Sequence, residues 1–178
     1  MTTPELQLRF QTVVDQHKKI LYKVCNLYCR NRDDRDDLAQ EIIIQVWRSF
    51  GKFDERYRFS TWMYRIALNV AISFYRRENR RTRYVISDEE HLLEAIDETK
   101  NQPEEIRLLY EFIEGLDPLN KALVLLYLDG NNYQEIAEVL GISETNVATK
   151  ISRLKSKMKQ EFRETGQAES QAKSRNET

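Results

Sequence analysis

The chain has 178 residues, of which 40% are hydrophobic and 32% are charged, with 5 glycines, 3 prolines and a net charge of -1. This length suits one medium domain or two small ones, and so few turn-forming residues argue against an all-β fold. No apolar run reaches membrane-spanning length and the first residues lack a signal-peptide pattern, so the sequence predicts a cytoplasmic protein.

The first predicted helix covers residues 5–30, because apolar residues recur there at spacings of three and four. Its two cysteines, Cys25 and Cys29, are four residues apart and are the only cysteines of the chain. A metal or redox site would need further ligands, and His17 and His91 are distant in sequence. We therefore predict two small buried apolar side chains and no cofactor.

A second helix is predicted over residues 36–50, with Asp33 or Asp34 as its cap and Gly51 at its end. Its apolar residues bury one side. An acidic and amide face remains outside, formed by Asp37, Gln40, Glu41 and Gln45. Such a face is either solvated surface or a docking site for a basic protein surface, since it repels nucleic acid.

An aromatic loop over residues 52–59 precedes a third helix, which we expect to start at Ser60. Met63, Ala67, Val70 and Phe74 fall at helical spacing and predict a buried side. The predicted outward side consists of Tyr64, Arg65, Asn69, Arg76, Arg77 and Arg80. Aromatic and amide groups beside a cationic end suit a polynucleotide strand, and the alternative is a solvated amphipathic helix with a basic end.

Charge is strongly segregated after this helix. Residues 75–84 carry five arginines and one glutamate, a local charge of +4. Residues 85–105 carry eight acidic residues and one lysine, a local charge of -7. Because highly charged segments with few apolar residues form poor cores, we predict a flexible acidic linker. It is a plain spacer, a segment that shields basic elements, or one that occupies a basic channel as a nucleic-acid mimic.

The C-terminal part predicts a second helical module. Pro103 is expected in the first turn of one helix, with Ile106, Leu109, Tyr110, Ile113 and Leu116 as its apolar stripe. Asp117 is expected to cap the next helix, in which Leu128 is one of the apolar residues predicted to build the core. After Phe162 no large apolar residue remains, so we predict a disordered tail.

Residues 132–154 have the pattern of a helix-turn-helix. Asn132 and Glu135 have capping-box spacing, Gly141 suits a left-handed turn, and Ser143 can cap the second helix. Val147 and Ile151 are predicted to bury. The exposed face can read base edges and hold phosphates, and its candidate residues are Thr145, Asn146, Thr149, Lys150 and Arg153.

The chain resembles the extracytoplasmic-function sigma factors of bacterial RNA polymerase. The matching strings are DLAQE at residues 37–41, FSTWMYRIALN at residues 59–69 and YQEIAEVLGIS at residues 133–143. The resemblance implies an all-α fold of two small helical domains joined by an acidic flexible linker. Residues 1–84 would form sigma region 2, residues 85–102 the linker, residues 103–163 sigma region 4, and residues 164–178 a disordered tail.

The resemblance also implies roles for particular residues. Asp37, Gln40 and Glu41 would dock on the polymerase clamp helices, while the second domain would pack on the polymerase flap. Flipping a base out of the minus-ten element costs a few kcal/mol of lost stacking energy. A binding pocket must offset this cost. The residues implied for minus-ten DNA are Tyr57, Phe59, Ser60, Trp62, Arg65, Asn69, Arg76, Arg77, Arg80 and Arg81. The helix-turn-helix face would read the minus-thirty-five element, although Ala148 stands where many members carry a basic residue.

On this reading the chain is a dissociable specificity subunit without catalysis of its own. Its partners would be core RNA polymerase, promoter DNA and an anti-sigma factor. One alternative is a stand-alone helix-turn-helix regulator whose first module senses a signal or dimerises. An enzyme is the weakest alternative, because the sequence shows no nucleophile with a base, no metal-ligand cluster and no glycine-rich phosphate loop.

Overall fold

The structure is a computed structural model that describes residues 3–82 and 103–176, with side chains described over 4–78 and 103–165. Within these ranges it consists of helices joined by turns, which confirms the predicted all-α fold. The predicted linker over residues 85–102 lies outside the described residues. The helices are α1 (Thr3–Tyr28), α2 (Arg32–Phe50), α3 (Phe59–Thr82), α4 (Glu104–Glu114), α5 (Pro118–Leu128), α6 (Tyr133–Leu140) and α7 (Glu144–Asn176).

The helices divide into two compact units. The first unit contains α1, α2 and α3, and the second contains α4, α5, α7 and the first five residues of α6. In the first unit each helix packs against the other two. The predicted apolar stripes meet in its centre, and the fully buried side chains there include Val24, Leu38, Ile42, Met63 and Leu68.

Helix α2 begins four residues earlier than the sequence predicts. The cap expected at Asp33 or Asp34 is wrong, because Asn31 holds that position. The Asn31 Oδ1 accepts from the backbone N–H of Asp34 at 2.7 Å, which satisfies one of the free amides of the first turn. Gly51 does end the helix, but with φ of -65°, so its backbone is one that any residue can adopt.

Helix α3 begins at Phe59, one residue before the predicted start at Ser60. Its buried face is wider than one stripe, because α1 and α2 both pack against it. This width overturns one prediction: Tyr64 was expected to face outward, but only 2% of its surface is exposed. Burial raises the pKa of the Tyr64 hydroxyl to about 12, as expected when the charged form is desolvated.

In the second unit, α5 packs against α4 and α7, and α4 also packs against α7. Asp117 caps α5 as predicted, since its Oδ1 accepts from the backbone N–H groups of Leu119 and Asn120 at 3.1 Å each. Pro103 lies at the cap position of α4 rather than in its first turn. The residues that build the centre of the unit are Phe112, Ile113, Leu116, Ala122, Leu123, Leu126, Ile136, Val147, Ile151 and Leu154.

Some apolar residues of this unit lie outside its core. Ile106, Tyr110 and Leu128 were predicted to bury, yet all three are exposed. Ile106 and Tyr110 lie one turn apart on a short helix, whereas Ile113 and Leu116 of the same predicted stripe are buried as predicted, together with Phe112. Leu128 is the last residue of α5. Sequence periodicity alone did not reveal which residues of these apolar stripes lie outside the core.

Helix α7 is much longer than predicted. It runs to Asn176, whereas the sequence indicated a disordered tail from residue 164. Residues 164–176 are rich in Glu, Gln, Ala, Lys and Arg, which are residue types with favourable intrinsic helix propensity. The predicted tail is therefore helical over all but its last two residues, which lie outside the described part of the chain.

Candidate nucleic-acid interface

The predicted helix-turn-helix over residues 132–154 is held by three local features. Asn132 and Glu135 form the predicted capping box, in which each side chain accepts from the other residue's backbone N–H at 2.9 Å. Gly141 has φ of +67°, a left-handed conformation that favours glycine. Ser143 caps α7, because its Oγ accepts from the backbone N–H of Asn146 at 3.2 Å.

Helix α7 presents one polar face and one buried face. Val147 and Ile151 are buried as predicted, and this fixes the opposite side of the helix toward solvent. The Thr149 hydroxyl donates to the Thr145 carbonyl oxygen at 2.9 Å. Its hydrogen is therefore used within the helix, while its oxygen can still accept a hydrogen bond. Of the predicted DNA-reading residues, one is half-buried, Lys150, and four are exposed, Thr145, Asn146, Thr149 and Arg153.

A cluster of aromatic rings lies beneath the loop that precedes α3. Phe59 is at its centre, with ring centroids of His17, Phe53 and Trp62 at 5.0 to 5.3 Å. Phe50 lies at 6.2 Å. These are ordinary distances for edge-to-face and tilted aromatic pairs. The cluster joins all three helices of the first unit.

The burial of Phe59 changes the role that the sequence suggested for it. Only 9% of Phe59 is exposed, so its ring faces are covered by its aromatic neighbours rather than offered to a base. The prediction that Phe59 contacts DNA is not supported by this geometry. Phe59 instead anchors the loop. Trp62 and Ser60, also predicted to contact DNA, are half-buried.

The loop between α2 and α3 is braced on both sides of its tip. The Tyr57 backbone N–H donates to the Asp54 carbonyl oxygen at 3.1 Å. The Arg56 guanidinium donates to the Asp54 carboxylate and holds the pKa of that carboxyl below its usual range. Arg9 of α1 forms an ion pair with Glu55. The result is a constrained loop whose Tyr57 ring is 63% exposed.

The outward face of α3 continues from this loop. Arg65, Asn69 and Arg76 are exposed, as predicted. The Asn69 carbonyl oxygen accepts from the Ser73 hydroxyl at 2.8 Å. Helix α3 continues to Thr82, but the side chains of Arg80 and Arg81 lie outside those that the structure describes. The structure thus exposes four of the α3 side chains predicted to meet the minus-ten strand, namely Arg65, Asn69, Arg76 and Arg77.

The acidic face of α2 borders a shallow concavity of about 350 Å³. Asp37 and Gln40 are exposed, Glu41 is half-buried, and Ile44 adds an apolar side chain that is 48% exposed. Arg77 of α3 reaches into the same concavity, where its Nη2 lies 3.1 Å from Glu41 Oε2. This hydrogen bond raises the pKa of the Arg77 guanidinium above its usual value.

The two cysteines belong to the core. Cys25 and Cys29 are buried free thiols, as predicted. Burial raises the pKa of Cys25 to about 11, with a smaller effect from Asp36. Burial also raises the pKa of Cys29 to about 12. Among the residues that the structure describes, no group of His, Cys, Asp and Glu could hold a metal ion.

Two features of this surface were missing from the sequence analysis. The aromatic cluster was one, although the spacing of three residues within the pairs Phe50–Phe53 and Phe59–Trp62 could have indicated it. The other is the ion pair between Glu41 and Arg77, which are 36 positions apart. No local pattern could have revealed that pair. Within the described ranges, no helix is both long enough and apolar enough to cross a membrane.

Comparison with known protein families identifies both units. The family model Sigma-70 region 2 matches residues 13–81, and the model Sigma-70, region 4 matches residues 106–158. These two matches contain the acidic face, the loop, α3 and the helix-turn-helix. They also follow one another in the order that the sequence motifs predicted.

Individual relatives agree. The chain is 31% identical over 145 residues to the ECF RNA polymerase sigma-E factor of Haemophilus influenzae, covering 74% of this chain and 77% of the relative. It is 33% identical over 141 residues to the RNA polymerase sigma factor HrpL of Pseudomonas syringae, covering 75% and 76%. The ECF RNA polymerase sigma factor SigW of Bacillus subtilis is 27% identical over 169 residues, covering 87% and 89%.

Two solved structures share the fold. CnrH, in complex with the cytosolic domain of CnrY, gives a TM-score of 0.63 at 22% identity, covering 88% of each chain. The sigma factor RpoE of Bartonella quintana, in complex with the anti-sigma factor NepR, gives 0.65 at 14% identity, covering 87% of this chain and 97% of that one. Sigma factors are regulatory subunits rather than enzymes. The chain belongs to the extracytoplasmic-function (ECF) sigma factors, which direct RNA polymerase to promoters and so start transcription.

Proposed function

We propose that the loop over residues 52–58 and the outward face of α3 capture the minus-ten strand. The observation that carries this proposal is the exposed Tyr57 on a loop braced from both sides. A pre-ordered aromatic side chain can stack on a flipped base at little entropic cost. Asn69 supplies an amide for hydrogen bonds to the base. Arg65 and Arg76 supply charge for the strand's phosphates, and we assign Arg80 and Arg81 the same role from their sequence position.

The acidic face of α2 is proposed as the polymerase-docking surface. Asp37 and Gln40 are exposed beside Ile44, so a partner would meet carboxylate, amide and apolar groups together. Such a surface suits a helix with basic and apolar side chains. For an ECF sigma factor this partner is expected to be the clamp helices of the polymerase.

The polar face of α7 is proposed to read the minus-thirty-five element. Asn146 and Arg153 of α7 are exposed, outside the side of the helix that buries Val147 and Ile151. An amide can pair with adenine and a guanidinium with guanine in a major groove. Lys150 would hold phosphate, and Thr145 and Thr149 would add base or backbone contacts. The second unit would meanwhile pack on the polymerase flap.

These roles divide the chain into a region 2 domain over residues 1–84, a linker over 85–102 and a region 4 domain over 103–163. The acidic linker would thread toward the polymerase active centre. We also propose that the protein acts in the cytoplasm, has no catalytic activity, and binds an anti-sigma factor. The last point rests on the related fold of RpoE, whose structure holds the anti-sigma factor NepR.

The docking proposal is tested by Gln40→Lys. A new cation on an acidic face should repel a basic partner, and we expect the affinity for core polymerase to fall by about tenfold or more. Gln11→Lys is the matched control, because Gln11 is an exposed glutamine on α1. Equal affinities for the two variants would remove the acidic face from the interface.

The strand-capture proposal is tested by Asn69→Ala. Loss of one hydrogen bond to a captured base costs about 1 kcal/mol, so promoter opening should slow roughly fivefold while initial promoter binding is retained. Ser73→Ala serves as the control, since Ser73 is exposed one turn further along α3. If Asn69→Ala weakens initial binding as much as opening, Asn69 has a different role. Permanganate reactivity of the unpaired thymines measures opening.

A further inference from the structure

Arg77 lies where the two proposed surfaces of the first unit meet. It belongs to the basic end of α3, but its guanidinium is directed to α2. Its Nη2 lies 3.1 Å from Glu41 Oε2, and its Nε lies 3.7 Å from Glu78 Oε1. The guanidinium also lies over the Phe74 ring at 5.0 Å from the centroid. Three contacts therefore hold one arginine against the acidic concavity.

The two partners of this ion pair have competing uses. Glu41 is a carboxylate of the proposed polymerase-docking face, and Arg77 is a cation of the proposed strand-binding helix. While the pair is formed, Arg77 offsets the negative charge that would attract a basic partner. Glu41 equally offsets the positive charge that would attract a phosphate. Arg77 thus weakens the attraction between Glu41 and a basic partner, and Glu41 weakens the attraction between Arg77 and a phosphate.

We propose that the Glu41–Arg77 pair couples polymerase docking to strand binding. A cation of the docking partner that pairs with Glu41 releases Arg77, which can then contact a phosphate of the promoter strand. The free sigma factor consequently binds DNA less well than the docked one. By linkage the coupling is reciprocal, so bound DNA also favours docking. This inference rests on the proposed function, because it requires both surfaces.

The exposure of the pair determines the size of the effect. The side chains of Arg77 and Glu41 are 49% and 38% exposed, and ion pairs of this kind are weak because water competes for both charges. A partner can therefore break the pair easily. The corresponding coupling is small, roughly two- to fivefold in affinity. The Glu41–Arg77 pair therefore changes the affinity for DNA by a small factor rather than switching DNA binding on or off.

The coupling is tested on the free full-length protein with a labelled single-stranded oligodeoxythymidine probe at low salt. Glu41→Gln removes the charge that holds Arg77 and should raise the affinity for the probe about two- to fivefold. Arg77→Gln should abolish this gain, so the double variant should bind like Arg77→Gln alone. Asp33→Asn controls for the lost negative charge, since Asp33 is an exposed residue of the same helix.

Four results would overturn the inference. One is an equal affinity of Glu41→Gln and the unchanged protein. Another is an equal gain from Asp33→Asn, which would make the effect a matter of net charge. The third is a gain from Glu41→Gln that persists in the Arg77→Gln background. Because no polymerase is present, these results are separate from the Gln40→Lys test of the docking surface. Failure of every variant to bind the probe would also overturn it.

Discussion

The two surfaces that we assign to DNA are supported in different ways. The polar face of α7 depends on local features within residues 132–146, namely the capping box, the left-handed Gly141 and the Ser143 cap. The loop before α3 depends on contacts between distant parts of the chain. Phe59 packs on His17 of α1 and Phe50 of α2, and Arg9 reaches Glu55 across 46 positions.

This difference explains which predictions survived. Capping residues and a turn glycine act on their own backbone, so their effect can be read from local spacing. The sequence does not distinguish an aromatic residue that packs in the core from one that is exposed and can stack on a base. For Tyr57 and Phe59, two residues apart, only the packing of α1 and α2 separates an exposed ring from a buried one.

The largest expected effect comes from exchanging these two aromatic residues for alanine. Phe59→Ala should destabilise the first unit by about 3–5 kcal/mol, since it removes a buried ring. Tyr57→Ala should change stability by less than about 0.5 kcal/mol but should slow promoter opening. Urea unfolding followed by tryptophan fluorescence reports on the first unit alone, because the two tryptophans, Trp47 and Trp62, lie in α2 and α3.

Phe59→Leu is the matching conservative variant. It retains an apolar side chain of similar size and should recover much of the stability lost in Phe59→Ala. If Phe59→Ala unfolds at the same urea concentration as the unchanged protein and is defective only in promoter opening, the ring belongs to the DNA-binding surface after all. In that case the contrast with Tyr57 disappears.

The next effect concerns two glycines that end helices in different conformations. Gly141→Ala should cost about 1–2 kcal/mol, because alanine is strained at φ of +67°. The added Cβ would have nothing within 4 Å, so the cost is conformational rather than steric contact with neighbours. Gly51→Ala has the same open space but φ of -65°, and it should be neutral or stabilising by up to about 1 kcal/mol.

Hydrogen exchange of peptides from α6 and α7 measures the Gly141 effect, and tryptophan fluorescence measures the Gly51 effect. Gly141→Asn should be milder than Gly141→Ala, because asparagine visits the left-handed region more readily. Faster hydrogen exchange confined to α6 and α7 would support the dependence of the polar face of α7 on local backbone geometry. Equal protection in Gly141→Ala and the unchanged protein would contradict it.

The smallest effect is a pH dependence of the stability of the first unit, which contains both cysteines. The folded protein holds Cys25 and Cys29 with pKa values raised from 9.0 to about 11 and about 12. Their contribution to stability is complete below pH 9 and is lost as pH rises from 9 toward 11 and 12, since unfolding releases the thiol protons. At pH 9 the loss is about 0.5 kcal/mol per thiol.

Urea midpoints at pH 7, 8 and 9 test this expectation. The double variant Cys25→Ala and Cys29→Ala should show a flatter dependence on pH, whatever its stability at pH 7. A slope identical to that of the unchanged protein would assign the pH dependence to other groups. The buried thiols should also react slowly with alkylating agents in the folded protein, because only the thiolate is nucleophilic.

Several particular elements could be predicted before any coordinates. Helix periodicity located the core residues Leu38, Ile42 and Met63, and capping chemistry located Asp117 and Ser143. The predictions failed where neighbouring helices decide exposure. Tyr64 is buried because two helices pack against α3, whereas Ile106 of the predicted α4 stripe is exposed.

The sequence by itself determined the all-α class, the helix-turn-helix and the separation of acidic and basic surfaces, because each depends on residue type at short spacing. Family resemblance added the functional class, which the comparisons confirmed. Only the tertiary structure decided that Phe59 supports the loop while Tyr57 is exposed on it. It alone also placed Arg77 against Glu41. Both outcomes require the packing of helices that are far apart in sequence, and no local pattern of residues specifies that packing.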